Sequence, residues 1–168
     1  MGFFDLFNTN SVPTIQSSIL PDAAKNEILA GRLPKLNTEN IFFKKGEYCC
    51  FIDKAILMHE KKTKAFRHMG VSSPGLLKGN RISFGGGDVN EFTETEKIKA
   101  IIYVTNQRII LQCKEQGFDK SYRYLSAIKA YTNAVGLQYG NKTYNIIVPD
   151  GLLLYKVIKL IQQRRSGY

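Results

Sequence analysis

A chain of 168 residues with 43% hydrophobic side chains has room for one ordinary domain and a short extension, and enough apolar material for a core. Three cysteines, two of them adjacent, exclude a disulfide framework, and apolar runs of about five residues fall far short of the roughly 20 that a membrane-spanning helix requires. A formal net charge of +10 favours anionic partners such as a membrane surface, nucleic acid or an acidic protein, without bearing on the fold.

The first residues, 2–7 (GFFDLF), are short and greasy and read as a peptide that docks on its own domain or on a neighbouring subunit. They lack the basic start and the run of roughly 7–15 apolar residues of a signal peptide. With no C-x-x-C among the cysteines, a reducing, cytoplasmic compartment is expected. Residues 8–18 have a linker composition. Pro21-Asp22 then opens a short helix over AAKNEIL, with Asp22 as its cap, Gly31 as its stop and Pro34 ending it firmly. Leu33, Leu36, Ile41 and Phe42 are read as pinning the following segment to the domain. Residues 1–39 thus form an N-terminal extension, and 40–168 the domain.

From Gly46 the texture is β. A long strand is expected over 47–60, a basic turn over 61–64, a return strand over 65–72 and a weaker strand over 76–84. Gly85-Gly86-Gly87-Asp88 opens a flexible acidic loop reaching Glu96. The stretch 99–114, KAIIYVTNQRIILQCK, is the organising element. Two apolar runs flank Thr105-Asn106-Gln107-Arg108, which predicts a hairpin with both faces covered at least in part. Further short strands follow over 121–125, 127–132, 135–139 and 143–148, with Gly140-Asn141 as a tight turn. The chain closes on an amphipathic helix over 150–165, capped by Asp150, whose Leu153, Leu154, Val157, Ile158, Leu160 and Ile161 share one arc. The fold expected is mainly β with α: about seven antiparallel strands curled into a barrel and closed by the C-terminal helix.

Three pieces of this pattern carry a resemblance. Ala100-Ile101-Ile102-Tyr103-Val104-Thr105-Asn106-Gln107-Arg108-Ile109-Ile110 is similar to a G-x-L-Y-[IV]-T-N-x-R-[IL]-[IL] hairpin, with Ala100 at the place of the glycine. Leu125-Ser126-Ala127-Ile128, followed by Tyr131 and Val135-Gly136-Leu137, is similar to an L-x-x-I … Y … G-I strand pair. The closing helix is the third piece. Over about residues 40–165 the chain resembles the pleckstrin-homology-like (PH-like) domains of the prokaryotic, GRAM-related kind. That resemblance implies a PH-like barrel serving as a non-enzymatic binding module for phospholipid head groups, phosphopeptides or proteins, with bacterial relatives that self-assemble.

The candidate ligand-binding residues are Lys61, Lys62, Lys64 and Arg67 of the basic first hairpin. Lysines there suit an anionic head group, and equally suit a solvated turn that discourages edge pairing. Residues 41–81 hold nine lysines and arginines against three acids. Thr105, Asn106 and Arg108 are read as structural hairpin residues, since Thr and Asn side chains bond their own backbone in such turns. Gly79 and Gly85-Gly86-Gly87 lack the G-K-[ST] ending of a phosphate loop. His59 and His68 have no acid or cysteine at ligand spacing, so neither a metal nor any other cofactor is expected. No nucleophile–base signature stands out, and the chain is read as no enzyme. Nucleic acid is disfavoured because the basic residues are not interleaved with a row of aromatics. The reading is a cytoplasmic module, peripheral at the membrane if its partner is lipid, which recognises a protein or an anionic membrane surface. A homo-oligomeric accessory protein, bacterial or of a prophage, assembling through its N-terminal extension, is the alternative.

Overall fold

The computed structural model describes residues 13–66, 89–115 and 117–167, and their side chains except those of 63–66 and 89–92. Helix α1 (Asp22–Leu29) is followed by strands β1 (Cys49–Phe66), β2 (Val89–Thr105), β3 (Arg108–Gln112) and β4 (Phe118–Ser121). After one 3₁₀ turn at Tyr122–Tyr124 come β5 (Leu125–Tyr131), β6 (Ala134–Tyr139) and β7 (Lys142–Ile147), and helix α2 (Gly151–Arg165) closes the chain. The strands form one open, antiparallel seven-stranded sheet in the order β4-β3-β2-β1-β7-β6-β5. The molecule is thus mainly β, with a helix at each end of the described chain.

The chain divides into two compact units, one of residues 1–59 and 97–168 and one of residues 60–96. The core lies in the first. Phe51, Leu57, Ile102, Val104, Ile109, Leu111, Leu137 and Ile146 meet Leu154, Val157 and Ile158 of α2, all at most 2% exposed. Each such side chain stabilises by roughly 1.5–3 kcal/mol before ordering costs. Strands β6 and β7 turn at Gly140, whose φ of +60° glycine adopts without strain. Phe118 on the terminal strand β4 lies 4.6 Å, ring centroid to ring centroid, from Tyr144 on β7 and 6.3 Å from Tyr139 on β6. The sheet therefore curls until its first strand faces its fifth and sixth across the core.

Residues ahead of the sheet join this core. Leu20, Ala24, Ile28 and Leu33 are buried in the same cluster. Buried Asp53 fixes their approach: its carboxylate accepts from the Ile19 N–H (2.9 Å) and the Ser18 hydroxyl (2.6 Å). On the outer face, Ile56, Ile147, Ala134 and Tyr131 align across β1, β7, β6 and β5, and Ile15 packs on them.

Five expectations are corrected. The strand expected over 121–125 is instead the end of β4 at Ser121 and the 3₁₀ turn Tyr122–Tyr124. Asp22 does not cap α1: Pro21 holds the cap position without a side-chain bond, and Asp22 begins the helix itself, where its charge suits the dipole. Residues 61–64 are not a turn, because β1 continues through Phe66. Residues 89–96 are not a loop but the start of β2, whose β-branched Val89, Thr93 and Thr95 alternate with polar partners. Phe42, read as an anchor, is 95% exposed, whereas Leu33 and Leu36 do pack on the core. The strands expected over 65–72 and 76–84 lie wholly or largely outside the described residues.

Candidate functional site

The β2–β3 turn, Thr105-Asn106-Gln107-Arg108, organises a second segment beside it. Thr105 Oγ1 accepts from the N–H groups of Gln107 (3.1 Å) and Arg108 (3.0 Å), which closes the turn on itself. The rest of the tetrad reaches across to residues 42–48. The Tyr48 N–H donates to Asn106 Oδ1 (2.9 Å), and Asn106 Nδ2 donates to the Gly46 carbonyl (3.0 Å). Gln107 Nε2 donates to the Lys45 carbonyl (3.0 Å), and Arg108 Nη2 to the Phe42 carbonyl (2.8 Å).

At the centre lies a buried ion pair. Arg108 Nε donates to Glu47 Oε1 at 2.8 Å, and a second guanidinium nitrogen bonds Asp119 on β4. Thr105 donates its hydroxyl to Glu47 Oε1 (2.7 Å), and the Lys44 N–H donates to Glu47 Oε2 (2.7 Å). Burial alone would push the Glu47 carboxyl up, but the hydrogen bonds from Arg108, the Lys44 N–H and Thr105, with the Arg108 charge, outweigh it and hold the pKa below the usual value. Arg108 is raised in turn, chiefly by its bond to Glu47. Tyr122 completes the arrangement by donating its hydroxyl to the Thr105 carbonyl (2.7 Å).

The pinned segment is a presentation loop. The Glu47 N–H returns to the Lys44 carbonyl (3.0 Å), which makes 44–47 a tight turn, and Gly46 supplies the positive φ of +72° that the turn needs. Outward from it stand Phe42 at 95% exposure, Phe43 at 39%, and exposed Lys44 and Lys45. An open cleft of about 430 Å³, lined by Ile41, Arg108, Ile110, Phe118 and Asp119 among others, borders Phe42.

The residues singled out from the sequence fall in two places. Thr105, Asn106 and Arg108 sit at the centre of the network. Lys61 and Lys62 are exposed on β1, in the unit of residues 60–96. Lys64 lies on the same strand with its side chain outside the description, and Arg67 and His68 lie outside the described residues. The strand beside β1 in that unit, β2, carries Glu91, Glu94 and Glu96. Residues 2–7 also lie outside the description. Sequence reasoning missed Phe43, Lys44, Lys45 and Glu47; the signal was the string Phe-Phe-Lys-Lys-Gly-Glu, an aromatic pair and a lysine pair closed by a glycine turn.

Among the described residues no cluster of three or more His, Cys, Asp or Glu side chains could hold a metal ion, and no helix is long and apolar enough to cross a membrane. No protein-family model, no curated protein and no solved structure matches the chain.

Proposed function

We propose that the chain is a non-enzymatic docking module, PH-like in architecture, that engages an anionic surface through the loop at residues 41–46. The observation that carries the reading is the inward turn of Glu47. Glu47, the acid that closes the loop, is spent on Arg108 together with Asp119, while Lys44 and Lys45 are exposed, so the cluster keeps a net positive charge. The long curled sheet and its closing helix support the PH-like assignment. The basic residues Lys61, Lys62, Lys64 and Arg67, singled out in the sequence, are a second cationic element in this reading. The polar groups with unusual electrostatics support a binding role over catalysis: Glu47 and Arg108 are consumed by each other, and Cys49 and Cys50 are buried thiols.

The test is retention on heparin beads and on phosphatidylserine vesicles, with phosphatidylcholine vesicles as the neutral control, at low and physiological salt. The wild-type chain is retained by the anionic supports alone, more weakly as salt rises. Lys44→Glu/Lys45→Glu weakens retention more than Lys61→Glu/Lys62→Glu. Absence of retention on every anionic support overturns the reading.

A further inference from the structure

The structure points to a lipid bilayer as the anionic surface, and we propose that Phe42 and Phe43 insert into its interface while Lys44 and Lys45 engage the head groups. This rests on the reading above and names its partner.

The argument begins with the exposure of Phe42. A phenylalanine at 95% exposure forfeits the burial that would stabilise the fold, and here the cost has a visible alternative. Phe42 lines the open cleft together with Ile41, Ile110 and Phe118 and still remains 95% exposed. The backbone of the loop is held in place. Arg108 holds the Phe42 carbonyl, Gln107 the Lys45 carbonyl and Asn106 the Gly46 carbonyl, each within 3.0 Å. A loop held at three carbonyls by one turn is preorganised, and the aromatic pair is presented without ordering cost at the moment of contact.

Composition supplies the partner. Other large apolar side chains exposed among the described residues, such as Ile19, Leu29, Tyr124 and Leu152, have no such neighbour next to them in the chain. Phe42 and Phe43 are adjacent and run directly into two lysines. Aromatic rings followed by cations match the layering of a membrane interface, apolar at the acyl boundary and anionic at the head groups. A soluble polyanion would use the lysines and leave the rings in water.

Two ring insertions strengthen partitioning by roughly tenfold to a hundredfold, and each lysine near an anionic surface adds roughly fivefold. The chain contains no tryptophan, so Phe42→Trp introduces a sole reporter at the site. Tyr124→Trp, at a position 65% exposed elsewhere on the surface, is the control. With vesicles containing phosphatidylserine, the Phe42→Trp emission shifts to the blue and is quenched by lipids brominated on their acyl chains, whereas the Tyr124→Trp emission does neither. Phe42→Ala/Phe43→Ala keeps the wild-type unfolding curve and loses the salt-resistant part of vesicle binding by about tenfold or more.

Other results separate this inference from the reading beneath it. Co-sedimentation of Phe42→Trp with vesicles but without shift or quenching means contact by charge alone, which overturns insertion and leaves the docking module. Retention on heparin with no vesicle binding does the same. Retention on neither overturns both. A blue shift that follows protein concentration in the absence of vesicles identifies a second copy of the chain as the occupant and overturns the bilayer.

Discussion

Glu47 and Arg108 lie 61 positions apart in the sequence and meet at 2.8 Å in the fold. The contact fastens the segment ahead of β1 to the β2–β3 turn, and Asp119 ties the same guanidinium to β4. One arginine thus joins three stretches of chain that no local pattern brings together. Its planar fork suits that task, since separate donors can reach Glu47, Asp119 and the Phe42 carbonyl at once. The fold and the proposed contact surface share this joint.

Removing Arg108 leaves Glu47 buried and uncompensated. Arg108→Ala is expected to cost about 3–5 kcal/mol, the range for breaking a buried pair from one side. Arg108→Lys keeps the charge but cannot span the three partners, and falls between the two. Urea unfolding of the three proteins measures this. A loss below about 1 kcal/mol for Arg108→Ala would show that the clasp is not what holds residues 42–48.

The same pair sets an acid response. The Glu47 pKa is lowered in the folded chain, so its ionised form is favoured by folding. A depressed carboxylate contributes stability that is present above the unfolded-state pKa, about 4.3 for glutamate, and is lost as pH falls through the folded value. Stability should therefore decline below about pH 4 in the wild type. Glu47→Gln flattens that part of the profile at the expense of stability at neutral pH. Melting temperatures from pH 3 to pH 7 test the sign; equal slopes for the two proteins in the acid limb would refute it.

The three thiols should separate by reactivity. Burial raises Cys49 to about 11 and Cys50 to about 12, with backbone hydrogen bonds opposing the shift at Cys49, so neither forms thiolate at neutral pH. Cys113 is partly exposed. Titration of the native protein with an aromatic disulfide reagent is expected to consume one equivalent quickly, and three after denaturation. The fast equivalent disappears in Cys113→Ser. Fast loss of more than one thiol from the native chain would mean that the strand carrying Cys49 and Cys50 opens readily.

The hairpin over 99–114 was legible because both of its signals are local: apolar runs at strand length and a polar tetrad between them. Ile102, Tyr103 and Val104, each at most 1% exposed, agree with the expectation of two covered faces. Helix α2 was legible for the same reason, since Asp150 accepts from the Leu153 N–H (2.9 Å) as an N-cap and the apolar arc faces the core. The start of β2 was not, because acids interrupt its β-branched residues, and its place beside β1 is a long-range fact. Phe42 misled in the opposite way. Hydrophobicity alone places it inside, whereas it stands 95% exposed on a loop whose backbone is bound by Arg108, 66 positions later. Lys61 and Lys62 look like a turn until the strand through them is seen. The candidate site was thus half readable: the tetrad announced itself, and the loop that the tetrad holds did not.

Helix α2 depends on a glycine at its first residue. The Gly151 N–H donates to the Thr132 carbonyl (2.9 Å), and this draws the helix start onto the β5–β6 turn. A Cβ built on Gly151 would lie 2.2 Å from the Tyr131 carbonyl oxygen and 2.4 Å from that of Ala134, contacts made with backbone that cannot swing aside. Helix propensity favours Ala over Gly by about 1 kcal/mol, so propensity and packing oppose each other at this position. Packing should win, because relieving both contacts requires the helix to lift from a core that includes Leu154, Val157 and Ile158. Gly151→Ala is expected to lose about 1–3 kcal/mol in urea unfolding, the usual range for overpacking. A variant as stable as the wild type would show that α2 shifts on the sheet without loss, and that the close approach at its first turn is not required.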